Sequence, residues 1–128
     1  MLNNVYRYVK NVIEIEKFLE DTGNRYLLIS QRYFKGKYNA KGECEIQEGV
    51  TVGLQILEDN SEKIIDKNTG EEKPDNTLET FEVTIVGVKY PLDIKKGSIV
   101  QLSGFIPEFS YYINYSFILR FTGIEEIE

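Results

Sequence analysis

The chain has no histidine and no tryptophan, one cysteine, one methionine and three prolines among 128 residues. Without imidazole, neither a Ser-His-Asp nor a Cys-His arrangement has its base. With Cys44 alone, a zinc site of Cys and His ligands cannot be assembled either. Any metal would have to rest on carboxylates alone, and no cofactor is expected. A single thiol fits a reducing compartment. Eighteen consecutive apolar residues occur nowhere, and residues 1–10 lack an apolar stretch behind a basic residue. The expectation is therefore a cytoplasmic chain with no membrane contact. Alanine occurs once, at Ala40, whereas nine Tyr, seven Phe and many Val and Ile are present, which favours strands over helices. The length fits one domain, 1–128, able to bury a core without disulfides or a structural metal.

The net charge of −6 hides a strong asymmetry. Residues 25–41 carry five bases (Arg25, Arg32, Lys35, Lys37 and Lys41) and no acid, whereas 42–82 carry three bases and twelve acids. The basic run is interleaved with Tyr26, Tyr33, Phe34 and Tyr38. Cation plus ring is the chemistry of single-strand binding, because phosphates need Lys or Arg and unstacked bases need flat side chains. The competing reading is an ordinary strand with a solvated basic face and core aromatics.

Even positions from Val50 to Ile56 are apolar (Val50, Val52, Leu54, Ile56), which predicts a half-buried strand at about 50–57. A second is predicted over 80–89, with Phe81, Val83 and Ile85 inward and a bulge at Gly87. A third runs over 98–106 on Val100, Leu102 and Ile106. A C-terminal pair follows from the odd positions Phe109, Tyr111, Ile113, Tyr115, Phe117, Leu119 and Phe121, divided by a turn at Asn114. That odd face reads as core, which leaves Tyr112 and Arg120 on the opposite parity as binding candidates. Between the first two strands, 58–79 holds eight acids and reads as a long polar loop. In the first 45 residues, Val5, Tyr8, Val9, Val12, Ile15 and Leu19 fit a helical face, yet Ile13 and Ile15 alternate with Glu14 and Glu16. The β-branched content favours a strand, which makes 21–24 the turn of an N-terminal hairpin into 26–34 with Leu27 and Ile29 inward. The expected fold is all-β: a small OB-like five-stranded barrel with an extra N-terminal hairpin.

The stretch 79–104, ETFEVTIVGVKYPLDIKKGSIVQLSG, resembles the middle of bacterial-type single-stranded DNA-binding proteins of the OB-fold class, with Ile94-Lys95-Lys96-Gly97-Ser98-Ile99-Val100 and Gly104 filling that family's places. With the aromatic, β-rich segment Tyr111 to Phe121 that follows, as in the family, the similarity covers about 45 residues. Divergent versions carried by plasmids, phages and conjugative elements are similar in size. The chain departs from the family in lacking Trp and in compressing the helix expected between the second and third strands into 91–96. The resemblance implies a non-catalytic protein that binds single-stranded nucleic acid, DNA by the family's precedent although the residues themselves do not separate DNA from RNA, and that forms a homo-oligomer.

Other motifs fail on their chemistry. Asp66-Lys67-Asn68-Thr69-Gly70 opens like an EF-hand loop, but Thr77 stands where a bidentate Glu is required, so a turn is expected. Pro74-Asp75 with Asp93-Ile94-Lys95 matches a bare metal-nuclease pattern without the strand context that it needs. Gly36-Lys37 lacks the first glycine of a phosphate loop. Cys44, between Glu43 and Glu45, reads as structural. The site expected is Tyr33, Phe34, Tyr38 and Tyr112 for stacking, with Arg25, Arg32, Lys35, Lys37 and Arg120 on phosphates. The alternative is an interaction or assembly module on the same barrel, whose protein partner meets the acidic loop 58–79.

Overall fold

A computed structural model describes residues 2–8, 13–113 and 116–127. Its strands are β1 (Tyr26–Phe34), β2 (Lys37–Tyr38), β3 (Cys44–Ile46), β4 (Gly49–Ile56), β5 (Thr80–Val86), β6 (Ile99–Phe105), β7 (Tyr111–Ile113), β8 (Ser116–Ile118) and β9 (Arg120–Glu126). Five close a barrel in the order β1-β4-β5-β9-β6, and β6 returns to β1. The fold is all-β and OB-like, as the alternation predicts. All neighbours are antiparallel except β5 and β9, where Thr84 pairs with Arg120 and Ile85 with Phe121. Closure leaves the barrel strands no long free edge.

Most of the core forms where the alternation placed it: Val52, Leu54, Val83, Ile85, Val100, Leu102 and Leu119 are buried, and Phe117 is half-buried against them, but Tyr111 and Ile113 of the odd C-terminal face are exposed, because β7 pairs only with β8 outside the barrel. On β4 the intervening Thr51 and Gly53 are buried too, and Gln55 is half-buried. Gly49 is required there: a Cβ would come 1.9 Å from the carbonyl oxygen of Ile85.

Three expectations are corrected. The N-terminal strand is instead a 3-10 turn (Val5–Tyr8) and a helix, α1 (Ile15–Asp21), while Val9 and Val12 lie outside the described residues. Ile15 and Phe18 share one face of α1 at helical spacing and are buried. The Phe18 ring meets Tyr8, Phe81 and Phe117 edge-on at centroid distances of 5.3, 5.5 and 6.1 Å. This burial outweighs the strand propensity of the isoleucines. The extra hairpins lie elsewhere, as β2–β3 between β1 and β4 and as β7–β8 after β6. The residues between β7 and β8, Asn114 and Tyr115, fall outside the described residues.

On β1 the inward residues are Tyr26 and Leu28, not Leu27 and Ile29. The Tyr26 hydroxyl lies 2.6 Å from the Thr22 hydroxyl at the end of α1, so its ring can occupy the core with its polar end satisfied. The register then shifts between Leu28 and Ser30. Finally, β5 ends at Val86; Gly87, at φ +80°, turns the chain out of the sheet rather than bulging within it. No helix among the described residues is long and apolar enough to cross a membrane.

Candidate nucleic-acid interface

At the barrel end where β1 finishes and β4 begins, Gly36 takes φ +83°. A Cβ there would stand 2.6 Å from the carbonyl oxygen of Ile46, so glycine alone lets the turn close against 46–48. The β2–β3 hairpin that follows opens a groove of about 770 Å³, lined by Tyr33, Tyr38, Glu48, Lys89 and Tyr90 among others. Tyr33 is 51% exposed, Tyr38 59% and Tyr90 41%. The Tyr33 and Tyr90 rings meet edge to face at 6.2 Å. Lys35 and Lys37 flank Gly36 and are exposed. The Tyr33 hydroxyl donates to the Glu48 carboxylate, a bond that pushes the hydroxyl's pKa up and anchors the outer end of the ring.

The other predicted residues are dispersed. Arg25 is half-buried just before β1, roughly 25 Å along the strand from Tyr33 at 3.3 Å per residue. Arg32 is exposed but forks onto the Glu82 carboxylate on β5, with its Nη2 3.4 Å from Oε1 and its Nη1 closer to Oε2. Phe34 is half-buried, its ring centroid 5.5 Å from the Arg120 guanidinium. Tyr112 is half-buried on β7, edge-on to Phe117 at 6.1 Å. Arg120 is 5% exposed and leaves the list of surface phosphate contacts. Strand parity could not reveal this, because the chain steps between β8 and β9 at Leu119 and buries Leu119, Arg120 and Phe121 in succession.

No family model matches the chain. Neither a curated protein nor a solved structure matches it either. The functional reading therefore rests on the placement of side chains.

Lys89 and Tyr90 were missed at the sequence level; their signal was a cation and a ring just past the turn at Gly87. Cys44, read as structural, is exposed and lines the groove. The acidic segment folds as a loop. Asp66 Oδ1 accepts from the backbone N–H groups of Asn68 and Thr69, an Asx turn in place of a calcium loop. No cluster of acidic or thiol side chains suited to a metal occurs among the described residues. The loop's inner end is tied to the N-terminal segment: the buried Asn76 side chain donates to the Asn3 carbonyl at 3.1 Å, and Arg7 Nη1 donates to the Glu62 carbonyl at 2.7 Å.

Proposed function

We propose that the protein binds single-stranded nucleic acid, DNA in the first instance, without catalysis, in the groove of Tyr33, Tyr38 and Tyr90. The observation that carries this reading is three exposed tyrosine rings lining one groove with Lys89, and with Lys35 and Lys37 on the adjoining turn. Core aromatics would be covered, and a merely solvated basic face would not gather rings. Each exposed ring offers a stacking surface to any base, and the ammonium groups meet the backbone between bases. The acidic remainder of the chain limits affinity and disfavours the higher charge density of a duplex. Titrating a labelled oligothymidylate, and then the same label on a duplex, tests the proposal: saturable binding of the single strand, tighter than the duplex, is expected.

The adaptor reading keeps one observation in its favour. Ile65 and Leu78 are exposed within the acidic loop, an apolar and acidic surface suited to a basic protein partner. Absence of oligonucleotide binding by the folded protein would leave that reading in front.

A further inference from the structure

The residues that pair across four adjacent strands make a polar row on the outside of the barrel. Arg32 on β1 faces Thr51 on β4, Thr51 faces Thr84 on β5, and Thr84 faces Arg120 on β9. All four line one cavity of about 460 Å³, whose apolar wall includes Phe34 and Phe117. Its size falls among pockets that enclose small molecules.

The two arginines in this row differ. Arg32 is held by Glu82, whereas Arg120 is buried and has no carboxylate within ion-pair distance among the described residues. Its Nη1 donates to the Phe109 carbonyl at 2.7 Å, and Phe34 lies against the guanidinium. Its Nε is buried with no hydrogen-bond partner, alone in this among the side-chain nitrogens and oxygens of the described residues. Beside it, the Thr51 and Thr84 hydroxyls are 2.9 Å apart. Their mutual bond uses one of two hydroxyl protons and leaves the other to donate. A buried cation without a counter-charge is costly, and apolar residues of similar size serve stability better.

We propose that this cavity binds a small organic anion. A carboxylate or phosphate head pairs with the Arg120 guanidinium and the spare Thr51/Thr84 proton, and an apolar body lies against Phe34 and Phe117. A planar oxyanion suits the guanidinium fork, which accepts such groups side-on. The site is separate from the tyrosine groove and does not depend on its assignment.

The test is an NMR titration of ¹⁵N-labelled protein that follows the Arg120 Nε–H resonance with benzoate, phenyl phosphate, inorganic phosphate and the neutral benzyl alcohol. A saturable shift with benzoate or phenyl phosphate, absent with benzyl alcohol, is expected; the tighter of the two anions identifies the head group. In R120M the anion-induced shift at the Thr84 amide should weaken by at least about tenfold, the usual loss of a hydrogen bond to a charged group. Binding of oligothymidylate should be unaltered in the same variant. Three results would overturn the proposal: no saturable shift with either organic anion in the wild-type protein, an equal shift with benzyl alcohol, or equal affinity for inorganic phosphate and phenyl phosphate. The wild-type titration decides the matter even if R120M does not fold.

Discussion

Thr84 on β5 is bonded to Thr51 on β4 through their hydroxyls at 2.9 Å, both side chains buried on the outer face of the barrel. Each hydroxyl is the other's hydrogen-bond partner, so removing one should cost more than removing both. Thr84→Val should destabilise the protein by about 1–3 kcal/mol, because the Thr51 hydroxyl is left buried and unpaired, and the double change to Val should recover much of that loss. Urea unfolding of the two single variants and the double variant measures the coupling; strict additivity would show that the pair contributes nothing.

α1 belongs to the core rather than decorating it. Phe18 is fully buried among Tyr8, Phe81 and Phe117. Phe18→Ala should cost about 3–5 kcal/mol, a large part of a small domain's margin. Denaturant melts followed by far-ultraviolet circular dichroism would give the figure, and a loss near zero would show the helix to be independent of the barrel.

Alkaline pH should unfold the protein cooperatively. Burial pushes the Tyr26 hydroxyl well above the usual tyrosine range; burial, reinforced by the bond to Asp21, does the same for Tyr8. Since the folded pKa values are raised, the stability is complete below the ordinary tyrosine pKa of about 10 and falls as pH climbs past it, where only the unfolded chain ionises freely. Absorbance of tyrosinate near 295 nm should show Tyr8 and Tyr26 ionising only with loss of tertiary structure. Ionisation of Tyr8 and Tyr26 in a protein that stays folded would contradict this.

Salt dependence should be shallow. With Arg32 held by Glu82 and Arg120 buried, three lysines (35, 37 and 89) border the groove. At about −0.7 per phosphate contact on single strands, the slope of log K against log salt should be about −2. A slope near −5 would place the contacts on a larger basic surface.

The barrel was legible because alternation over Val50–Ile56 and Phe81–Ile85 records a half-buried sheet directly, whatever else the chain does. The N-terminal segment was not, since 5–19 carries helical and alternating patterns at once and only packing of Phe18 against Phe81 decides between them. The inward parity of β1 was misread because the apolar pair Leu27 and Ile29 outranks Tyr26 on hydrophobicity, while the Thr22 hydroxyl that makes Tyr26 a core residue is visible only in three dimensions. The candidate site was half legible. Tyr33, Lys35, Lys37 and Tyr38 lie within a few residues of one another, so local sequence holds them together. Tyr90 joins them through strand pairing, and Arg32 and Arg120 are withdrawn by partners 50 or more residues away or by burial.

The central claim is that Tyr33 and Tyr38 are stacking surfaces rather than core. Fluorescence anisotropy with labelled oligothymidylate, run beside thermal melts of Tyr33→Ala and Tyr38→Ala, tests it most directly. Each substitution should lose about 1–3 kcal/mol of binding free energy while the melting temperature stays nearly unchanged. Full retention of binding by both folded variants, or a large fall in melting temperature, would contradict the account.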